Sequence, residues 1–223
     1  MQQLNEPVTV SIIIATGVLT FLGFKNPKLF NRLMFDNRMI LQSKEYFRLI
    51  SSGFLHTDWM HFAFNMFSLF SFGKYIEKYY TATDLLLIYF ASVVGGNVLS
   101  LILYRNSEYK AIGASGGVCG VIYASVFLIP GGSIMILPVP VPIPSWVYAI
   151  LFLLISFYGM RSARGNIGHV AHIGGALVGL FVTFLLFPQA VLALPELVAL
   201  IILISGAILA WEFYKTKTPT KRY

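Results

Sequence analysis

Ser115 stands among glycines, in Ile112-Gly113-Ala114-Ser115-Gly116-Gly117-Val118-Cys119-Gly120, at the mouth of an uncharged run that reaches Pro130. A hydroxyl becomes a useful nucleophile when a neighbouring base takes its proton. His172, in a second apolar segment, can supply that base if the two segments touch. Gly116, Gly120 and Ala124 recur every four residues, so one face of the first helix is almost bare backbone. His172, Gly175 and Gly179 fall at i, i+3 and i+7, again on one face. Small-residue faces let helix backbones approach closely in a bilayer, and packing these two brings a serine oxygen to an imidazole.

What is missing narrows the chemistry. Gly113-Ala114-Ser115-Gly116-Gly117 matches the G-x-S-x-G elbow of soluble hydrolases, but that arrangement needs a strand before the serine and an acid between serine and histidine. The segment before Ser115 reads as loop, and no Asp or Glu occurs between Glu108 and Glu196. H-E-x-x-H is absent, which argues against a zinc protease, and paired intramembrane aspartates are absent too. No metal and no cofactor is called for. What remains is a Ser115–His172 dyad. His61 and Asn65, at i and i+4 on one helix face, are candidate oxyanion donors, together with the backbone N–H of Ser115 at its helix N-terminus. His169 opens the same segment as His172. Each of these polar groups taken singly reads better as an interhelical hydrogen-bonding residue. The glycine faces beneath Ser115 and His172 favour a site.

The elements that must hold these residues are membrane helices. Of 223 residues, 57% are hydrophobic and only 11% charged, against roughly a quarter charged in soluble domains. The net charge of +7 fits anionic lipid headgroups better than nucleic acid, because no basic stripe with interleaved aromatics occurs. Cys119 is the single cysteine, so no intramolecular disulfide forms. A span needs about 20 apolar residues. Seven candidates appear: Val8–Phe24, Trp59–Ile76, Leu85–Tyr104, the run from Ser115, a short fifth at Trp146–Tyr158, Gly168–Phe187 and Leu194–Phe213. The first is read as a retained helix rather than a cleaved signal. Lys25–Leu55 mixes charge with aromatic and aliphatic residues, which predicts short amphipathic helices in the interface. Proline at 138, 140, 142 and 144 predicts extended chain between Pro130 and Ser145. The fold class expected is all-α, a polytopic membrane helical bundle.

With these residues placed, the sequence resembles the rhomboid family of intramembrane serine proteases. The family's G-x-S-G motif stands as Gly113-Ala114-Ser115-Gly116, H-x-x-x-N as His61-Phe62-Ala63-Phe64-Asn65, and A-H-x-x-G as Ala171-His172-Ile173-Gly174-Gly175. The resemblance covers about residues 5–187. It implies a six-helix catalytic core over residues 1–190, with residues 191–223 adding a seventh helix and a basic tail. It implies Ser115 as nucleophile, His172 as general base, and His61, Asn65 and the Ser115 backbone as oxyanion donors. Gly113, Gly116, His169 and Arg48 support the site, His169 as a neighbour of the base. The family's Trp-Arg pair appears as Phe47-Arg48, and His56 matches a structural loop histidine. Members commonly carry an aromatic four residues after the nucleophile, on which the histidine stacks. Cys119 stands there, so either the base is less firmly oriented or another ring, such as Tyr123 or Phe157, serves instead. The fifth helix is implied to be a lateral gate. The partners implied are the lipid bilayer and single-span membrane-protein substrates, with no nucleic acid. The location implied is a multi-pass position in a plasma or inner membrane if the source is bacterial. No feature of the sequence speaks to oligomeric state. Family orientation puts the N-terminus in the cytoplasm, whereas the basic first loop and tail favour the reverse. A catalytically silent, client-binding relative and a small transporter are the alternatives. The first would lack serine or histidine, and the second would show intramembrane charge on broken helices.

Overall fold

In the computed structural model, residues 6–136, 139–162 and 169–217 are described. The first helix, α1 (Pro7–Lys25), opens with proline at its first position and therefore lacks an N–H there. It is capped from another element: the Glu77 carboxylate accepts from Val8 N (2.7 Å), Thr9 N (2.8 Å) and Thr9 Oγ1 (2.7 Å). Thr9, Thr16 and Thr20 form the buried stripe of this helix.

The predicted interfacial stretch does form short helices. These are α2 (Pro27–Leu33), α3 (Asn37–Ser43) and α4 (Arg48–Ser51), the last followed by a 3-10 turn over Ser52–Phe54. Asn26 and Asp36 cap α2 and α3 through their side chains. A two-residue ladder was not foreseen: β1 (Phe35–Asp36) pairs antiparallel with β2 (Lys110–Ala111), tying this loop to the chain just before Ser115.

The long helices follow. They are α5 (Trp59–Tyr79), α6 (Ala82–Leu103), α7 (Ser115–Leu128), α8 (Ser145–Ser162), α9 (His169–Leu186) and α11 (Pro195–Lys217), with the unforeseen short α10 (Pro188–Leu192) between the last two. Their bounds correct the sequence reading at several ends. The third span begins at Ala82 rather than Leu85, because Thr81 and Asp84 form a reciprocal capping box. The fifth is not short, running 18 residues to Ser162. Between α7 and α8 the proline-rich stretch is extended, as expected, but also paired: β3 (Ser133–Ile136) and β4 (Val139–Pro144) form an antiparallel hairpin. Pro142 and Pro144 face Met135 and Ser133. Neither proline has an N–H to give, so Ile143 is left to exchange backbone bonds with Ile134.

Helices α1, α6 and α11 are long and apolar enough to cross a membrane, and the chain is a multi-pass integral membrane protein. At its centre sits α7, buried at every residue from Ser115 to Leu128. Its 14 residues span about 21 Å at the usual helical rise, less than the ~30 Å hydrocarbon core of a bilayer. A helix this short must lie below the membrane surface and be sheltered by its neighbours. The shelter is close, backbone on backbone. A methyl group on Gly175 of α9 would run into the Gly116 backbone, and one on Gly179 into Gly120. A methyl group on Gly174 would stand 2.9 Å from the Gly96 Cα of α6. The small residues of α6, α7 and α9 therefore meet directly, which is the packing that association without a hydrophobic driving force requires.

Candidate active site

Ser115 is the first residue of α7 and 4% exposed. The chain is steered into it by Gly113, whose φ of +133° is a conformation that side-chain-bearing residues rarely adopt. Gly113 N donates to Ser52 O (3.1 Å). A methyl group at this position would stand 3.0 Å from His61 Cε1, 3.2 Å from His61 Nε2 and 3.4 Å from Ser115 Oγ. The imidazole of α5 and the hydroxyl of α7 thus border one small space, and glycine leaves it open. The first N–H groups of a helix have no intrahelical partner, so those of Ser115, Gly116 and Gly117, with the positive end of the helix dipole, stand at the end of α7 that Ser115 begins.

Behind the nucleophile stands His56, fully buried. The Thr20 hydroxyl donates to Phe54 O (3.1 Å) and lies 3.1 Å from His56 Nδ1. Its one proton is committed, so Nδ1–H donates to it. His56 Nε2 is then free to accept from Ala114 N (3.4 Å). Both ring nitrogens serve to hold the backbone one residue before Ser115, as a structural histidine should. Burial, followed by the neighbouring His61, pushes the His56 pKa down to about 3 from 6.5. The folded protein keeps this ring neutral while the unfolded chain protonates it below pH 6.5. Stability is therefore complete above pH 6.5 and falls as the pH drops, by ~2 kcal/mol at pH 5 for this group. Melting in detergent should show a drop from pH 7.5 to pH 5 that is clearly smaller in His56→Gln. Equal drops in the two proteins would contradict the assignment.

His61 and Asn65 lie on the buried face of α5. Asn65 is 3% exposed, and its Nδ2 donates to His61 O (2.9 Å), which leaves a second N–H on the same nitrogen. His61 Nδ1 is 3.1 Å from Thr57 Oγ1.

His172 is in the first turn of α9 and 6% exposed. The preceding carbonyl, Ala171 O, lies 3.3 Å from where a Gly116 methyl would be. Ser115 and His172 therefore sit next to the residues that make the α7–α9 contact, at the same edge of it. Of the two rings expected beside His172, Tyr123 is engaged elsewhere. It donates its hydroxyl to Ala149 O (2.7 Å), and the side chain of Phe157 lies outside the described residues. Phe152 of α8 stands beside His172, with ring centroids 5.7 Å apart and planes at 52°. The side chain of His169 also lies outside the described residues.

Arg48 supports from a distance. It is 4% exposed, donates to Asn31 O (2.8 Å), Met34 O (2.7 Å) and Glu45 Oε2 (2.6 Å), and carries the Phe47 ring 5.5 Å from its guanidinium carbon. Its own carbonyl accepts from Ser52 Oγ (2.8 Å), the residue whose carbonyl holds Gly113. Asn97 completes this scaffold, donating to Leu49 O (2.8 Å) and Ser52 Oγ (3.1 Å). The sequence reading passed over Ser52, Asn97, Thr20 and Thr57. For Thr57 a signal existed, since it stands four residues before His61.

A family model, the rhomboid domain, matches residues 43–189. Among curated relatives, the Rhomboid protease GluP of Bacillus subtilis is 30% identical over 186 residues, covering 83% of this chain and 34% of that protein. The mitochondrial Rhomboid protein 1 of Saccharomyces cerevisiae is 26% identical, over 76% of this chain and 51% of its own length. The chloroplastic Rhomboid-like protein 11 of Arabidopsis thaliana is 33% identical, over 65% and 55%. The chain spans about half the length of the mitochondrial and chloroplastic relatives and about a third of GluP.

Proposed function

The chain belongs to the rhomboid family, and from that premise we propose that it is an intramembrane serine endopeptidase acting on peptide bonds in or near the transmembrane helices of single-span membrane proteins. Ser115 Oγ attacks the carbonyl carbon and His172 takes the hydroxyl proton. The carbonyl oxygen becomes an oxyanion, held by the Ser115 N–H, Asn65 and His61. His172 returns the proton to the leaving amine, and water releases the acyl group. A helix must unwind before its carbonyl can be reached, so substrates should carry weak helix formers such as Gly near the cleaved bond.

The observation that carries this reading is the space around Gly113. It is bordered by Ser115 Oγ and His61 Nε2 and sits at the α7–α9 contact from which His172 projects. Its test is covalent. A fluorophosphonate should label purified protein on Ser115 and abolish cleavage of a reconstituted single-span substrate in the same proportion. Folded protein that takes no label and cuts no substrate would instead be a silent, client-binding relative.

Access is proposed to run between α5 and α8. There Phe64 stacks on Phe152 (centroids 6.2 Å apart, planes at 18°), and Ser68 Oγ meets Tyr148 OH at 3.1 Å. An aromatic pair of this kind holds by about 1 kcal/mol, so Phe64→Ala should speed cleavage of a helical substrate roughly fivefold. Phe152→Ala loosens the same contact but also strips the ring from His172. Its kcat should fall below that of Phe64→Ala, and equal kcat values would remove Phe152 from any role beside the base.

A further inference from the structure

We propose that Thr57 and Asp58 form a positioning relay that holds resting His61 with its proton on Nδ1, so that His61 donates to an oxyanion only after Nε2 takes a proton. The inference rests on the protease reading above. It begins from three hydrogen bonds at the start of α5. The Asp58 carboxylate accepts from His61 N (2.8 Å) through Oδ1 and from the Thr57 hydroxyl (2.8 Å) through Oδ2. The first bond, then the second, keeps Asp58 below the usual carboxylate range, so it is ionised and can only accept. The single Thr57 proton is therefore spent on Asp58. Thr57 Oγ1 still lies 3.1 Å from His61 Nδ1, and that contact is a hydrogen bond only if Nδ1–H is the donor. A neutral ring protonated at Nδ1 has a bare lone pair at Nε2, the nitrogen on the side of Gly113 and Ser115. In that state His61 accepts hydrogen bonds and cannot stabilise an anion.

The relay also supplies the remedy. When the tetrahedral oxygen becomes negative, one proton from bulk water binds Nε2. The imidazolium then donates forward to the oxyanion and backward, through Thr57, to the Asp58 charge. His172 is by then cationic, having taken the serine proton, so the oxyanion meets two positive charges, and the Asp58 carboxylate offsets the one on His61. Asp58 and Thr57 are positioning residues, since neither touches the reacting atoms. Among the described residues the titratable groups beside His61 are Asp58 on its own turn and His56, whose ring centroid is 4.9 Å away. His56 is held neutral by burial and does not oppose the new charge. His172, from α9, turns cationic as the base and is the charge that His61 must accommodate.

Two measurements decide. In resting protein labelled with 15N-histidine, assigned by loss of signals in His61→Gln, His61 should show the Nδ1–H pattern at pH 7.5, and an Nε2–H pattern would overturn the relay. This needs no turnover, so its outcome is separate from that of the protease reading, which falls if Ser115→Ala still cleaves. Thr57 is exposed and tolerates change. Thr57→Val, which cannot accept from Nδ1–H, should move the alkaline limb of the kcat profile down by about one pH unit. It should lower kcat at pH 8 about tenfold with KM unchanged, and Thr57→Ser should restore both. An unmoved limb in Thr57→Val, or no recovery in Thr57→Ser, would equally overturn it.

Discussion

Ser115→Ala is expected to lose cleavage by more than about 10⁴-fold while folding and melting almost as the parent does. Removing the nucleophile from a serine protease leaves only binding and oxyanion stabilisation, and costs on the order of 10⁶ in kcat. With no covalent route, water would have to attack directly from a site sized for an acyl group. The fold loses little. Ser115 begins α7, alanine is a strong helix former, and the change of one hydroxyl is worth about 1 kcal/mol. Normal melting with no product supports the assignment, and retained proteolysis ends it.

The second large effect is at Gly175, which touches no substrate. A methyl group there meets the Gly116 backbone, with Gly116 C at 2.7 Å and Gly116 Cα at 2.8 Å. No side chain can rotate out of the way, so α7 and α9 must separate. Overpacking of this kind costs about 1–3 kcal/mol when neighbours can yield, and two rigid helix backbones put Gly175→Ala at the upper end. The catalytic cost is larger. Gly175 lies one turn from His172 and its contact lies next to Ser115, so any separation pulls the hydroxyl from the base. A displacement of about 1 Å in such a pair costs around 100-fold. Gly175→Ala should thus retain the membrane fold, melt lower, and cleave about 100 times more slowly. Gly206→Ala on α11, where a methyl group meets nothing within 4 Å, should change neither. Equal behaviour of the two variants would mean that the glycine contact does not set the geometry of the dyad.

The spans were legible because twenty apolar residues in a row have few other fates, and the meeting of α7 with α9 because glycine at fixed helical spacing leaves only backbone to touch. Short-range pairing was not. The β1–β2 ladder has two residues on each side, too few for any period to show. In the β3–β4 hairpin the alternate prolines, which announced an extended chain, also concealed that it has a partner. Of the rings sought beside His172, Tyr123 is spent on Ala149 O, while Phe152 arrives from α8, the helix that also carries Phe157. Thr20 and His56 are 36 residues apart, and their bond exists only once α1 is in place.

That bond changes what counts as the smallest working unit. The family match begins at residue 43, beyond the end of α1. Yet α1 is clamped at one end by Glu77 and supplies at the other the hydroxyl that orients His56 under Ala114. A fragment trimmed to the matched region would keep Ser115, His172, His61 and Asn65, and lose the strut beneath the first of them. The boundary of resemblance and the boundary of mechanical sufficiency are different lines on this chain.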